Sequence, residues 1–135
     1  MESHLAEKIE VLIKKYSSKF HFAFLPQYTG VSFRIWQRNN LNNLQKVTDE
    51  FFIAMQPYAY GFDEDSLESV LAEILLDKKL SIATAESCTG GLIGKRLTDI
   101  AGSSKYFLGG ITAYSNKLKI EQLDVSKNNL KKYLT

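Results

Sequence analysis

The stretch from Ala83 to Lys119 reads ATAESCTGGLIGKRLTDIAGSSKYFLGGITAYSNKLK, and it decides the fold of the second half of this chain. Near its start the residues Leu80, Ile82 and Ala83 form a short apolar run, which is typical of a buried strand. Small polar residues and the pair Gly90–Gly91 follow, and a helical pattern begins directly after them. We therefore expect a strand, a tight turn and a helix. Such a turn presents bare backbone N–H groups at a helix start, and these favour phosphates or a developing oxyanion.

Composition indicates an ordinary globular protein. The chain has 135 residues, of which 44% are hydrophobic and 12% aromatic. Its 17 basic and 15 acidic residues give a net charge of +2, and so small a charge does not by itself indicate binding to nucleic acid or anionic membranes. The single cysteine, Cys88, cannot form an internal disulfide, and this fits a reducing compartment. The sequence has no apolar stretch of membrane-spanning length and no signal peptide, so we expect a cytoplasmic protein that does not bind membranes.

The first part of the chain switches between helical and strand patterns. Apolar residues at helical spacing predict an amphipathic helix after Ser3. Two runs of alternating apolar residues, separated by Pro26 and Gly30, predict a strand pair with one apolar face. A second helical pattern begins at Leu41 in a polar run, and a short strand is expected at Tyr58–Tyr60. This order predicts a small α+β module.

A boundary separates this module from the second half of the chain. Pro57, Gly61 and the acidic run Asp63–Asp65 mark it. We therefore divide the sequence into a first domain at residues 1–62 and a second domain at residues 63–135.

The second domain reads as helices alternating with strands. Asp65 and Glu68 resemble a capping box for a helix that ends near Lys78–Lys79, and Ser126 is expected to cap the last helix. The other predicted elements are a strand at Leu80–Ala85, a helix at Leu92–Thr98, a turn at Gly102–Ser104, a strand near Tyr106–Tyr114 and a basic helix at Lys127–Leu134. This alternation predicts the α/β class.

Two strands are too few to cover the apolar faces of the helices in this domain. Either another chain completes the domain, or the sequence is a piece of a longer protein. We expect a homo-oligomer in which exchange of strands or helices between copies covers the exposed core.

Ser104 and Lys119 are the pair that could carry catalysis. A serine hydroxyl attacks an amide only if a base removes its proton, and a lysine whose pKa is lowered by burial can be that base. Tyr114 could hold the lysine or relay the proton. The alternative that neither residue is catalytic stays open, since Gly-Ser-Ser is a common turn sequence and most lysines are solvated on surfaces.

Other candidates are weaker. Ser87 and Cys88 lie on a sharp strand-to-helix turn, where hydrolases often expose a nucleophile, but the G-x-S-x-G pattern is absent. The Gly-Gly pair matches no phosphate-loop motif.

The two histidines, His4 and His21, lie in the first domain, where His21 should face away from the phenylalanines of its strand. Neither therefore supports a Ser–His or Cys–His arrangement. Two isolated histidines also supply no metal-ligand spacing.

The motif AESCTGGLIGKRLTDIAGSS, followed by YFLGGITAYSNKLK, closely resembles the start of the CinA C-terminal domain. That family is the nicotinamide-nucleotide amidohydrolase of bacteria. The resemblance runs essentially without gaps from about Tyr60 to Val125. The earlier segments FAFLPQYTGVSFRIW and PYAYGFDEDSLE are similar to the KH-like middle domain of CinA proteins. The resemblance thus implies a small KH-like α+β module followed by a truncated amidohydrolase domain of the three-layer α/β type.

The resemblance implies hydrolysis of the carboxamide of nicotinamide mononucleotide, which yields nicotinic acid mononucleotide and ammonia, with no cofactor and no metal. It assigns the nucleophile to Ser104, the base to Lys119 and an assisting role to Tyr114. The residues implied to line the substrate pocket are Glu86, Ser87, Thr89 and Gly90.

Two departures from the family temper these expectations. The later family motifs and the amino-terminal domain of full-length relatives are absent, so we expect little or no amidase activity from the 135 residues alone. A non-catalytic interaction or dimerisation fragment is therefore one alternative function. Nucleic-acid binding by the KH-like module is another, but the G-x-x-G loop that such modules use is missing, so we expect no nucleic-acid partner.

Overall fold

The computed structural model describes residues 2–27, 30–38 and 43–133. The chain forms two compact units, Met1–Tyr60 and Gly61–Thr135. Each unit combines helices with its own two-stranded sheet, which confirms the predicted mixture of helices and strands in an α/β fold.

The first unit is a hairpin covered by two helices. Its elements are α1 (Glu2–Tyr16), β1 (Phe20–Gln27), β2 (Gly30–Gln37) and α2 (Leu44–Ala54). The two strands pair antiparallel, with Phe20 opposite Gln37. The predicted first helix and strand pair are therefore confirmed, whereas the predicted helix start at Leu41 lies outside the described residues.

The core of this unit lies between the helices and one face of the hairpin. Its fully buried members are Ile9, Phe20, Val47 and Phe51, with Phe22, Phe24 and Phe33 packed against them. On the opposite face His21 stacks on Trp36, with ring centroids 5.2 Å apart. His21 thus faces away from the phenylalanines of its strand, as the alternation predicted.

The predicted strand at Tyr58–Tyr60 is wrong. The chain turns after α2, and the N–H groups of Tyr58 and Ala59 both donate to the carbonyl oxygen of Met55, at 2.9 and 3.2 Å. These donors are used within a local turn, so they cannot pair with a neighbouring strand.

The second unit alternates helices with two parallel strands. Its elements are α3 (Leu67–Asp77), β3 (Ile82–Glu86), α4 (Leu92–Thr98), a 3₁₀ turn (Ser103–Lys105), β4 (Phe107–Thr112), α5 (Asn116–Leu123) and α6 (Lys127–Tyr133). The bounds of α4 are those predicted, and the hydroxyl of Ser126 accepts a hydrogen bond from the N–H of Asn129, as expected of a cap. Leu134, the predicted end of α6, lies outside the described residues. The sequence interpretation missed α5.

The predicted capping box is also wrong in its residues. Ser66 caps α3, and its hydroxyl accepts the N–H of Ser69 while the Ser69 hydroxyl accepts the N–H of Ser66. Asp65 instead accepts the N–H of Phe62 at 2.9 Å, one turn earlier. The two reciprocal hydrogen bonds of a capping box are present, but Ser66 and Ser69 make them in place of Asp65 and Glu68.

The parallel pairing of β3 with β4 gives the sheet a carboxyl edge and an amino edge. β3 pairs with β4 from Ile82 opposite Phe107 to Glu86 opposite Thr112. The carboxyl ends of both strands therefore meet at one edge of the sheet, and their amino ends meet at the other. Tyr106 anchors the amino edge, because its ring is fully buried and its hydroxyl donates to the carbonyl oxygen of Leu97 at 3.1 Å.

Candidate functional site

The loop of residues 87–91 joins β3 to α4 at the carboxyl edge of the sheet. Two consecutive glycines, Gly90 with φ 62° and Gly91 with φ 98°, adopt the left-handed conformation there. Side chains with a Cβ rarely adopt this conformation, so the glycine pair is required by the path of the chain. The loop turns sharply enough for the last residue of β3 to reach the first turn of α4.

That last residue is Glu86, and its carboxylate is bound to the start of the helix. The side chain is only 4% exposed. One carboxylate oxygen accepts the N–H of Ile93 at 2.9 Å, and the other accepts the N–H of Gly94 at 2.7 Å. The expectation of bare N–H groups at this helix start is therefore corrected: the protein's own carboxylate occupies two of them. A negative charge at a helix amino terminus also interacts favourably with the helix dipole.

The environment of Glu86 lowers the pKa of its carboxyl. Burial is the largest single influence and acts to raise that pKa, but the hydrogen bonds to the carboxylate, led by those from the N–H groups of Gly94 and Ile93, together outweigh it. The hydroxyls of Thr89 and Thr84 lower the pKa further. The group is thus held as a carboxylate at neutral pH, which suits an acceptor of several hydrogen bonds.

Gly94 makes this contact possible. A Cβ at this position would lie 3.3 Å from a carboxylate oxygen of Glu86 and 3.4 Å from the hydroxyl of Thr84. A side chain there would press on the group that the helix start binds. Sequence reasoning did not single out Gly94 or Thr84, although a glycine inside the first turn of a helix is itself a signal of close approach.

The remaining loop residues lie around this anchored carboxylate. Ser87 is half-buried, and Thr89 and Gly90 are exposed, so their polar groups are accessible at the carboxyl edge. Cys88 is an exposed free thiol. The four pocket positions implied by the resemblance thus lie within residues 86–90, and Glu86 is the one among the four that is buried.

Ser104 lies at the opposite edge of the sheet. It is exposed in the 3₁₀ turn that directly precedes β4, and Gly102, with φ 82°, begins that turn. The amino edge is close by, since the N–H of Ile82 donates to the carbonyl oxygen of Tyr106 at 2.8 Å.

Tyr114 and Lys119 follow the other end of β4. Tyr114 is 72% exposed in the link to α5, and Lys119 is half-buried on that helix. Ser115 caps α5, since its hydroxyl accepts the N–H of Leu118 at 3.2 Å. Within residues 2–27, 30–38 and 43–133, the side chains of Ser104, Tyr114 and Lys119 make no hydrogen bond or ion pair.

One chain therefore holds the serine and the lysine at the two ends of the same strand. The six residues of β4 cover roughly 16 Å at about 3.3 Å per residue. Tyr114 follows the end of β4 that meets the carboxyl end of β3, and Lys119 lies one turn into the helix that comes next, whereas Ser104 precedes the other end of β4.

Other candidate sites are few. In the part of the chain that the structure describes, no group of three histidine, cysteine, aspartate or glutamate side chains could hold a metal ion. No helix among those same residues is long and apolar enough to cross a bilayer. A shallow hollow of about 220 Å³ lies beside the carboxyl end of α4, but two of its lining residues, Arg96 and Glu68, pair with each other across it.

Comparison with known proteins places the chain in a family. Residues 64–134 match the family described as the CinA C-terminal domain. The chain is 42% identical over 134 residues to a CinA-like protein of Chloroherpeton thalassium, covering 96% of this chain and 32% of that protein. It is 40% identical over 116 residues to a CinA-like protein of Cytophaga hutchinsonii, covering 82% of this chain and 28% of that protein.

Among solved structures, a competence-damaged protein (CinA) superfamily protein from Escherichia coli is 33% identical to this chain. The match covers 50% of this chain and 39% of that one, with a TM-score of 0.48. The chain thus spans about a third or less of the length of these two curated relatives.

Proposed function

This chain belongs to the CinA family, and from that premise we propose that it supplies the serine–lysine centre of an amidohydrolase that acts on nicotinamide mononucleotide. The reaction converts the carboxamide of the substrate to a carboxylate and releases ammonia. The observation that carries the proposal is that the family match spans residues 64–134, a range that includes Ser104, Tyr114 and Lys119.

The proposed chemistry proceeds through an acyl-enzyme. The amine of Lys119 takes the proton of the Ser104 hydroxyl as the serine oxygen bonds to the carboxamide carbon. The carbon–nitrogen bond then breaks, and the leaving nitrogen takes this proton from Lys119 through the hydroxyl of Tyr114 to depart as ammonia. Water attacks the resulting ester, the serine regains its proton, and nicotinic acid mononucleotide leaves.

The loop at the carboxyl edge would surround the reacting carbonyl. Ser87 and Thr89 carry hydroxyls there, and the loop also offers backbone N–H groups as donors for a developing oxyanion. Glu86 is bound to α4 through both carboxylate oxygens, so in this proposal it positions the loop and does not contact the substrate. A fixed loop geometry is what such stabilisation requires.

The complete gene product that carries this chain provides the test. We expect it to release ammonia from nicotinamide mononucleotide, and the Ser104→Ala and Lys119→Ala variants each to lose this activity. The matched controls are Ser103→Ala, one position earlier in the 3₁₀ turn, and Lys117→Ala, on the same helix as Lys119. Full hydrolysis by the Ser104 and Lys119 variants would contradict the dyad and direct attention to Ser87 or Cys88.

The 135 residues alone are proposed to turn over little or no substrate, because they correspond to about a third or less of the length of the two CinA-like relatives described above. A family-typical rate from the isolated chain would refute this.

A second candidate function is that of a non-catalytic assembly module. The separation of Ser104 from Lys119 along β4 favours it, because a dyad needs its two groups within hydrogen-bond reach.

A further inference from the structure

We propose that Thr84 is a positioning residue for the proposed reaction, and that its hydroxyl holds the Glu86 carboxylate in the orientation that fixes the 87–91 loop. The inference rests on the proposed function for the reaction, and on contacts inside the second unit for the role of Thr84. These contacts lie between β3, β4 and α4.

The side chain of Thr84 lies where β3, β4 and α4 meet. Thr84 is half-buried and pairs with Gly110 across the parallel sheet. A Cβ on Gly110 would overlap the Thr84 hydroxyl, and a Cβ on Gly94, in the first turn of α4, would lie 3.4 Å from that hydroxyl. The neighbouring strand and the helix therefore each place a glycine beside this one hydroxyl, where a side chain would press on it.

The Thr84 hydroxyl and the Glu86 carboxylate lie around the same point above Gly94. A Cβ on Gly94 would lie 3.3 Å from a carboxylate oxygen of Glu86, about as close as to the Thr84 hydroxyl. Thr84 and Glu86 are two residues apart in β3, so both side chains leave the same face of the strand. Burial raises the pKa of the Glu86 carboxyl, and the Thr84 hydroxyl is one of the hydrogen-bond donors that lower it.

The bond from Thr84 adds a constraint that the helix start alone does not provide. The carboxylate oxygens of Glu86 accept the N–H groups of Ile93 and Gly94, and these bonds direct the carboxylate towards α4. The terminal torsion of a glutamate side chain has a broad distribution, so a further donor narrows the orientation of the carboxylate. Because Thr84 belongs to β3, its hydroxyl fixes that orientation relative to the sheet.

A fixed carboxylate matters to the proposed reaction because the 87–91 loop supplies donors to the developing oxyanion. Such donors stabilise the charge only if they are already in place when the charge forms. Loss of the Thr84 hydroxyl should therefore lower kcat and leave KM nearly unchanged, since the affected interactions form in the transition state. A displacement of about 1 Å is enough to lower a rate about a hundred-fold.

Kinetics of Thr84 variants in the complete gene product test this role. We expect Thr84→Val and Thr84→Ala, which both lack the hydroxyl, to lower kcat for nicotinamide mononucleotide about ten- to a hundred-fold at nearly constant KM. Thr84→Ser keeps the hydroxyl and should retain a kcat close to the wild-type value. Thr98→Val is the matched control, because Thr98 is exposed on α4 and its hydroxyl donates to the carbonyl oxygen of Lys95. Wild-type kcat in Thr84→Ala, or equal losses in the serine and alanine variants, would overturn the inference.

Titration of Glu86 gives a readout that needs no activity. In protein with isotope-labelled glutamate, the NMR signal of this carboxyl carbon is the one that disappears in Glu86→Gln. We expect the signal to titrate at a higher pH in Thr84→Ala than in the wild type, because loss of a donor raises the carboxyl pKa, and to be restored in Thr84→Ser. An unchanged titration in Thr84→Ala would overturn the inference and leave the proposed function standing. Hydrolysis that survives Ser104→Ala would instead overturn the proposed function, whatever the titration shows.

Discussion

Glu86 and Gly94 are joined by a 2.7 Å hydrogen bond that connects the end of β3 to the first turn of α4. Glu86 precedes the 87–91 loop and Gly94 follows it, so this bond joins the two sides of the loop. The second carboxylate oxygen of Glu86 accepts the N–H of Ile93. One buried side chain therefore holds together the two ends of the loop, which includes the two consecutive glycines with positive φ.

Replacing Glu86 by glutamine should destabilise the second unit and lower any activity of the site. The amide keeps one acceptor oxygen but presents donors to an N–H group, so one of the two helix-start hydrogen bonds is lost and the charge at the helix terminus disappears. We expect a lower Tm in calorimetry. Glu73→Gln, at an exposed position of α3, is the control and should melt as the wild type. Equal Tm values for Glu86→Gln and the wild type would contradict the anchoring role.

The same carboxylate should make stability depend on pH. Because the folded pKa of Glu86 lies below its unfolded value, its contribution is complete above the ordinary glutamate pKa of about 4.3. It is lost as the pH falls from there through the folded pKa. The difference in Tm between wild type and Glu86→Gln should therefore shrink as the pH drops from 7 towards roughly 3. A difference that grows on acidification would show that the pKa is raised.

Gly110→Ala should destabilise the contact between β3 and β4. A Cβ on Gly110 would overlap the side chain of Thr84 on the neighbouring strand. Overpacking of this kind costs about 1–3 kcal/mol. Gly30→Ala is the control, because a Cβ there meets nothing within 4 Å. Chemical denaturation measures both free energies of unfolding.

A double variant tests whether the clash with Thr84, and not another effect of a side chain at position 110, causes the loss of stability. Thr84→Ala removes the side chain that the new Cβ meets, so Gly110→Ala should cost less in that background than in the wild type. Equal costs in the two backgrounds would mean that the contact with Thr84 is not the cause.

Tyr106→Phe should cost about 1–3 kcal/mol in the free energy of unfolding, because it leaves the buried carbonyl of Leu97 without its partner. The exposed Tyr60 provides the control, and Tyr60→Phe should change the free energy of unfolding by less than about 0.5 kcal/mol. The comparison tests whether the hydroxyl at the amino edge holds α4 to the sheet.

The local patterns of this sequence predicted its local structure well. The apolar spacing after Gly91 predicted α4 with its observed bounds, and the alternation around Pro26 and Gly30 predicted the hairpin. Both signals depend on neighbours within one or two turns. The helix α5 was missed because it is short and has no pronounced apolar face to produce a pattern.

The contacts that define the candidate site were beyond such patterns. Glu86 binds N–H groups seven and eight residues further on, around a glycine turn whose path no spacing rule specifies. The sequence does predict a strand between Ser104 and Lys119, with the serine just before it and the lysine just past its far end, and β4 lies there. Residue chemistry singled out these residues as candidates, and the resemblance to the family assigned their roles.

Trp36, stacked on His21 in the hairpin, is the single tryptophan of the chain. Its fluorescence emission is an intrinsic probe of the first unit alone, whereas circular dichroism registers the helices of both units. Unfolding curves recorded by the two signals will coincide only if the units lose structure together, so one side chain allows their cooperativity to be measured without any label.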